Sequence, residues 1–206
     1  KGPVICAEGF LFEAERRGYM SSGEFVPEIA LEHPDALRNI HLDFQHAGSD
    51  VVMAFTFKGH REKMRVINKE HLLEPLNRAA LQIAKQVADN NPLKELDLIA
   101  GNISGTHIWD EKDESTHKEV RSMFSEMVKW AKEEGADFIV GETLYYAHEA
   151  YTALDEIKKS GLPAVITISP MGENIMRDGV SVIDTCKELE KRGADVVGMN
   201  CFRGPT

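Results

Sequence analysis

The chain has 206 residues and a hydrophobic content of 42%, enough to bury one sizeable core, so we expect a single domain over residues 1–206. Its formal net charge of −10 disfavours nucleic-acid partners and anionic membrane surfaces, because both select basic patches. No apolar run reaches the length of a membrane span, and three cysteines do not make a secreted disulfide framework. These features predict a protein of the reducing cytoplasm that binds neither nucleic acid nor membrane.

Short apolar runs alternate with amphipathic helical patterns along the chain. Runs 3–7, 51–55 and 96–100 predict the first three strands, and three further strands are predicted to end at Glu142, Ile168 and Met199. The predicted helices cover 10–18, two runs that begin at 28 and 34, a short segment within 59–68, and 72–89, 120–132, 146–159 and 180–192. This alternation indicates repeated βα units and a parallel sheet.

A barrel is the architecture that this alternation favours. Glycine ends the helix before several strands and a polar residue follows most of them, as expected where chemistry lies at the carboxyl ends of barrel strands. The rival is an open doubly wound sheet, but neither G-x-G-x-x-G nor a P-loop follows any predicted strand. A complete barrel takes about 250 residues, whereas this chain begins with Lys1 and stops soon after its sixth predicted strand. We therefore expect an α/β fold, a (β/α)8 TIM barrel truncated after the sixth strand.

Candidate site residues stand at the ends of the predicted strands. Glu142 ends the fourth strand, and because a buried carboxylate is costly, a catalytic role competes there with a structural salt bridge. Cys201 follows the sixth strand and could be a thiolate metal ligand, a nucleophile or a small buried hydrophobic residue. Asn102 and Asn200 could bind substrate or only satisfy loop backbone, and Thr56 is the polar end of the second strand. No neighbouring C-x-x-C or Cys/His pair completes a zinc site around Cys201.

Several motifs together resemble those of the homocysteine S-methyltransferase family, and of its betaine-dependent branch in particular. The most specific is GADVVGMNC at 193–201, which contains the last predicted strand. The other matching stretches are 8–19, 27–34, 41–51, 55–57, 87–89 and 137–142. Since the resemblance spans nearly the whole chain, it implies the family's (β/α)8 barrel and its transfer of a methyl group to the thiol of homocysteine.

The resemblance also implies a zinc cofactor, held by three cysteines at the mouth of the barrel. Cys201 matches the first of these, and the other two form an adjacent pair that the family pattern places beyond residue 206. By the same resemblance, zinc keeps the homocysteine thiol as the thiolate, which attacks the methyl group of a cationic donor and gives methionine. Glu142 matches the carboxylate that receives the homocysteine amino group, and Asn200 adjoins the metal ligand, so both are predicted to be catalytic.

Other substrate contacts that the resemblance implies depart from the family pattern. The family's Asp-Gly-Gly at the end of the first strand reads Ala7-Glu8-Gly9 here, so the role of the aspartate is either lost or moved to Glu8. The Gly9 turn lies where backbone amides meet the amino-acid carboxylate. Phe25 replaces a tryptophan of the betaine site and Lys58 replaces a tyrosine, and a lysine would repel a quaternary ammonium. The cationic donor is therefore expected to be a different methylated amine or a sulfonium as readily as betaine. The predicted substrate contacts are completed by Thr56, Asn102 and Glu142.

Two further hypotheses compete with the methyltransferase. The first is a catalytically silent, small-molecule-binding barrel of the same family that has lost full metal ligation. The second is a barrel lyase that uses Glu142 as a base, without thiol chemistry. A homo-oligomer is compatible with all three hypotheses.

Overall fold

Parallel strands alternate with helices in the computed structural model, which describes residues 3–7, 9–20, 27–91 and 97–201. Helices α1 to α8 are Phe10–Arg16, Ile29–Glu32, Pro34–His46, Arg61–Val66, Leu73–Asp89, Glu114–Glu133, Ala147–Ser160 and Val182–Lys191. Strands β1 to β5 are Val51–Met53, Leu98–Ser104, Phe138–Leu144, Ala164–Ile168 and Val196–Met199, and a 3₁₀ turn covers Glu70–Leu72. The pairings β1–β2, β3–β4 and β4–β5 are all parallel, which confirms the predicted α/β class.

The chain forms two compact units. The first contains Lys1–Asn102 and Trp130–Asp137, and the second contains Ile103–Lys129 and Phe138–Thr206. In the first unit β1 pairs with the beginning of β2, and α3 packs against α1 and α5. In the second unit β4 lies between β3 and β5, with α7 against β3 and β4 and α8 against β5. The single domain expected from chain length stays a prediction.

Each unit has its own apolar core. In the first, Leu37 and Ile40 of α3 are both 0% exposed, and the Phe10 ring centroid lies 5.0 Å from that of Phe44. In the second, Leu154 of α7 is buried with Ile139 and the other inward side chains of the sheet. Among the described residues, no helix combines the length and the apolar composition that crossing a bilayer requires.

A repeated Gly-x-Asp turn fixes where three of the chain segments begin to pair. In each copy the aspartate carboxylate accepts a backbone N–H from the preceding segment, and the aspartate donates its own N–H to the carbonyl of that same residue. The pairs, with the N–H to carboxylate distance, are Asp50 with Ile5 (2.8 Å), Asp137 with Ile99 (2.7 Å) and Asp195 with Ala164 (2.8 Å). The aspartate therefore closes a ring of two hydrogen bonds with the preceding segment. This ring fixes the register, because it gives a partner to a backbone N–H that the strand ladder does not pair.

Four predicted strands differ from the structure in extent. The predicted second strand, 51–55, already ends at Met53, as β1. The predicted first strand makes a single parallel bridge, between Cys6 and Val51. β2 and β3 each continue past their predicted ends, so Asn102 and Glu142 lie inside strands instead of ending or following them. The polar side chains did not end these strands because both strands are buried after their first residue and the polar groups find partners within the protein.

Candidate functional site

A β-bulge in β3 is the local feature on which the candidate site is built. Gly141 pairs with Ile166 and Leu144 pairs with Ile168, so Glu142 and Thr143 together oppose one residue of β4. Such a bulge re-aims side chains and leaves a backbone group without its ladder partner. Thr143 has a φ of 55°, in the left-handed region that β-branched residues rarely adopt. Strain of this kind persists only where surrounding contacts hold it in place.

Asn200, directly after β5, supplies those contacts. Its side-chain oxygen accepts the backbone N–H of Thr143 and the hydroxyl of Thr167, both at 3.0 Å. Its side-chain nitrogen donates to Glu142 Oε2 at 3.2 Å and to Thr143 Oγ1 at 2.9 Å. All four hydrogen-bonding positions of the amide are therefore used. We call Glu142, Thr143, Thr167 and Asn200 the bulge network, and it joins the ends of three adjacent strands.

The chain after β2 packs closely against the bulge. A Cβ on Gly105 would lie 2.8 Å from the carbonyl oxygen of Thr143, so only glycine fits at this approach. The next residue, Thr106, donates its N–H (2.8 Å) and its hydroxyl (2.6 Å) to one carboxylate oxygen of Glu149. Glu149 is 1% exposed, so this buried carboxylate holds the segment in position.

Glu142 presents a carboxylate with restricted access to water. The residue is 8% exposed, and Asn200 orients one of its oxygens. A carboxylate in such surroundings attracts a cationic group more strongly than it would in water, because the effective dielectric constant is lower. Since the two predicted catalytic residues, Glu142 and Asn200, are in direct contact, the arrangement can bind and orient an ammonium group.

Cys201 follows Asn200 and is exposed, with a φ of 61°. Burial and, secondarily, the nearby Cys201 raise the pKa of the Tyr145 hydroxyl. The guanidinium carbon of Arg177 lies 4.7 Å from the centroid of the Tyr145 ring, and the His107 ring lies 5.6 Å from it. Arg177 therefore places a cation on the face of the Tyr145 ring.

The described residues supply one thiolate for a zinc ion but not a complete ligand set. Cys186 lies in helix α8, and within the described ranges no group of three or more converging ligands includes Cys201. In the described part of the chain, the group of His, Cys, Asp and Glu side chains that does converge consists of Glu111, His148 and Asp178. The described residues are therefore compatible with a zinc ion to which Cys201 contributes a single ligand.

The other predicted site residues belong to the first unit or lie outside the described residues. Thr56 is buried and donates its hydroxyl to the backbone carbonyl of Asn102 at 2.6 Å. The Asn102 side-chain nitrogen in turn approaches Met53 Sδ at 3.4 Å. Lys58 is 9% exposed, and its ammonium lies 5.3 Å from the ring centroid of Phe57. The remaining predictions are placed as follows: Gly9 caps α1 with a φ of 87°, and Glu8 and Phe25 lie outside the described residues.

Sequence reasoning missed Thr143 and Thr167, which complete the bulge network. Thr143 follows Glu142 in an apolar run, where a threonine reads as an ordinary strand residue. The one available signal was Gly141, since a glycine inside a strand often marks a bulge. Glu149 and Arg177 were missed as well, because helix and loop positions carry no periodicity that singles out a buried charge or a stacked cation.

Comparison with known proteins gives a consistent result. The family model described as homocysteine S-methyltransferase matches residues 9–206. The betaine–homocysteine S-methyltransferase 1 of Sus scrofa is 34% identical over 212 residues, which cover 100% of this chain and 73% of the pig protein. The S-methylmethionine–homocysteine S-methyltransferase BHMT2 of Pongo abelii is also 34% identical, over 99% of this chain and 53% of the relative. The chain also spans 50% of the rat betaine–homocysteine S-methyltransferase 1, so it covers about half the length of these last two relatives.

A solved structure shares the fold. The homocysteine methyltransferase MmuM from Escherichia coli, in its metallated form, superimposes with a TM-score of 0.81 over 94% of this chain and 73% of MmuM. Its apo form gives a TM-score of 0.71. The sequence identity to the metallated form is 17%, so this likeness shows the fold alone. It confirms the fold class predicted from the sequence.

Proposed function

Because the chain belongs to the homocysteine S-methyltransferase family, we propose that it takes part in methyl transfer to the thiol of homocysteine, with methionine as product. The observation that carries this proposal is the bulge network, which places the Glu142 carboxylate against Asn200 one residue before Cys201. An amino-acid thiol has two groups that such a site can hold. Its ammonium suits a shielded carboxylate, and its sulfur suits the position beside the cysteine.

Glu142 is proposed to bind the ammonium group of homocysteine. Asn200 acts as a positioning residue, since its contacts with Thr143 and Thr167 prevent the carboxylate from rotating. The turn at Glu8 and Gly9 is proposed to bind the amino-acid carboxylate through backbone N–H groups, which the positive φ of Gly9 makes available.

Cys201 is proposed as one ligand of a zinc ion, at the position that matches the first of the family's three cysteine ligands. When bound, zinc would lower the pKa of the substrate thiol and so supply the thiolate at neutral pH. The exposed position of Cys201 and its left-handed backbone leave the sulfur accessible to an incoming group. Asn200 fixes the preceding backbone through its own N–H, which donates to the carbonyl of Ile168 at 3.1 Å.

The methyl donor is proposed to be a cation, either betaine or a related methylated amine or sulfonium. Thiolate attack forms an S–CH3 bond and breaks the C–N⁺ or C–S⁺ bond of the donor, whose electron pair leaves with the neutralised heteroatom. Two relatives are named for betaine and S-methylmethionine, which are donors of these two kinds. Lys58 is proposed to face the donor along with Phe25, Thr56 and Asn102, and its positive charge favours a donor that carries a compensating carboxylate.

The localisation and the oligomeric state of the protein are also proposed. We place the protein in the cytoplasm, since its three cysteines remain free thiols in the structure. We also propose that oligomer formation, where it occurs, is between copies of this chain. Size-exclusion chromatography with light scattering on the purified protein measures the second property directly.

The silent barrel is the second candidate, since the shielded carboxylate of Glu142 needs no metal ion to hold an ammonium group. Such a protein would bind homocysteine through Glu142 without transferring a methyl group. Zinc content and methionine formation separate the two candidates. About one zinc per chain together with donor-dependent methionine supports the enzyme, whereas homocysteine binding without either supports the silent barrel.

The binding test compares homocysteine with 4-mercaptobutyrate, which has the same thiol and carboxylate but no amino group. We expect the wild-type chain to bind homocysteine about tenfold or more tightly than the analogue, because a hydrogen bond to a charged group is lost with the amine. Glu142→Gln should remove this preference by weakening homocysteine binding alone. Glu190→Gln, at an exposed position of α8, is the matched control and should retain the preference. Isothermal titration calorimetry measures all six affinities, and an unchanged preference in Glu142→Gln would refute the assignment.

A further inference from the structure

A second ligand cluster lies in the same unit as the bulge network but shares no residue with it. It consists of Glu111, between β2 and α6, His148, in the first turn of α7, and Asp178, between β4 and α8. We call these three residues the Glu111 cluster. We propose that it is a binding site for a divalent transition-metal ion, distinct from the thiolate ligand Cys201.

The distances within the cluster already match those between ligands of one metal ion. His148 Nδ1 lies 3.0 Å from Asp178 Oδ2 and 3.3 Å from Glu111 Oε1. The three ligand atoms all lie within 4.8 Å of one another. Ligands at about 2.1 Å in a tetrahedral site are about 3.4 Å apart, so small side-chain rotations would bring the three atoms to bonding distance.

Asp178 independently indicates that the cluster binds a cation. Its side chain is 1% exposed, and its Oδ1 is buried without a hydrogen-bond partner among the described residues. The other oxygen, Oδ2, accepts the backbone N–H of His148 at 3.1 Å and faces the ring nitrogen. A buried carboxylate oxygen that nothing satisfies is costly, and a metal ion bound by the same carboxylate would remove that cost.

The two carboxylates of the cluster have more hydrogen-bond acceptor atoms than the ring of His148 can satisfy. His148 Nδ1 carries at most one hydrogen, yet carboxylate oxygens of Glu111 and Asp178 both approach it. Trp109 Nε1 donates to Glu111 Oε1 at 2.6 Å, so this carboxylate is oriented toward the cluster by a neighbour. Hydrogen bonds to the ligand groups are the usual means by which a metal site is preorganised.

The donor set indicates the class of metal. One imidazole nitrogen and two carboxylates suit Zn²⁺, Co²⁺ or Mn²⁺, whereas Ca²⁺ and Mg²⁺ prefer oxygen ligands alone. His148 is 50% exposed at its side chain, which leaves an entry path and room for water as a further ligand. Because the cluster contains no sulfur, it should accept Mn²⁺, which thiolates bind poorly. This preference separates the cluster from Cys201.

The test is a Mn²⁺ titration of the chain, with free Mn²⁺ followed by electron paramagnetic resonance. We expect about one Mn²⁺ per chain, and a loss of affinity of about tenfold or more in each of Glu111→Gln, His148→Ala and Asp178→Asn. Glu173→Gln, an exposed acid of the same loop as Asp178, should bind as the wild type does. Cys201→Ser should also bind as the wild type does.

Two results would overturn the proposal. One is the absence of saturable Mn²⁺ binding to the wild-type chain. The other is an affinity that Glu111→Gln leaves unchanged, since Glu111 is 35% exposed at its side chain and the variant should fold normally. Circular dichroism melts of the variants check that folding. The titration contains neither homocysteine nor a methyl donor, so its outcome is independent of the proposed methyl transfer.

Discussion

His41 is a buried histidine that the proposed chemistry does not use. The residue is 2% exposed, and the centroid of its ring lies 4.8 Å from that of Phe10. Its Nε2 has no hydrogen-bond partner among the described residues. Burial lowers the pKa of this imidazole from 6.5 to about 3. The folded protein therefore keeps His41 neutral over a range of pH in which the unfolded chain binds a proton.

This difference predicts a loss of stability on mild acidification. The folded pKa is depressed, so the contribution of His41 is complete above pH 6.5 and declines as pH falls from 6.5 toward 3. Between pH 7.5 and 5.5 we expect His41 to lower the free energy of unfolding by about 1.4 kcal/mol. Urea unfolding of wild type and His41→Leu at both pH values measures it, because the variant lacks the titrating group. His46→Gln, at an exposed position of the same helix, is the control, and equal pH dependence in wild type and His41→Leu would contradict the prediction.

At the scale of elements, the bulge in β3 depends on its neighbours more than on its own sequence. Gly105 lies so close to the Thr143 carbonyl that a methyl group would displace one of the two backbones. We expect Gly105→Ala to lower the free energy of unfolding by about 1–3 kcal/mol, as overpacking does, and to weaken homocysteine binding through Glu142. Gly198→Ala is the matched control, because its Cβ would meet Thr167 Cγ2 at an ordinary 3.7 Å.

Denaturant unfolding and calorimetric binding together test this prediction. A Gly105→Ala protein that is as stable as Gly198→Ala would show that the close approach costs nothing. A Gly105→Ala protein that is less stable but binds homocysteine with unchanged affinity would show that the shape of the bulge does not affect the position of Glu142. Either result would contradict the account of the bulge network given above.

The elements themselves could be predicted because their signals are local. The Gly-x-Asp turns at Asp50, Asp137 and Asp195 stand beside apolar runs, and each run pairs in parallel in the structure. Asn102 shows the limit, since a polar residue was expected to follow the strand and is instead buried inside β2. The periodicity of a short, fully buried strand does not mark its end.

The site could be predicted as a set of residues but not as a geometry. Glu142 and Asn200 were named from their strands and from a family resemblance, and the structure brings them to 3.2 Å. The bulge that aims Glu142 arises from the register between β3 and β4, which single-sequence reasoning does not fix. The Glu111 cluster was missed for a similar reason, because its three residues come from segments that are distant in the sequence.

At the scale of the whole molecule, the exposed edge of β5 is the feature that most affects solution behaviour. Val196 and Met199 are 54% and 64% exposed, and within the described residues β5 pairs with β4 alone. An apolar strand edge pairs readily with other chains, and a lysine on it opposes such pairing. We expect self-association that Val196→Lys reduces, measured by light scattering over a concentration series. Val4→Lys, at an exposed valine outside the strands, controls for added charge, and an equal effect of both variants would contradict a role for the β5 edge.

The central claim is methyl transfer to homocysteine at the bulge network. It is tested most directly by mass spectrometry of methionine formed from homocysteine and a donor with an isotopically labelled methyl group, in parallel with betaine and S-methylmethionine. The protein should be supplied with zinc before the assay. We expect labelled methionine with at least one donor, and its loss in Glu142→Gln and Cys201→Ser. Labelled methionine that both variants form at the wild-type rate, or none from any wild-type protein that binds homocysteine, would contradict the claim.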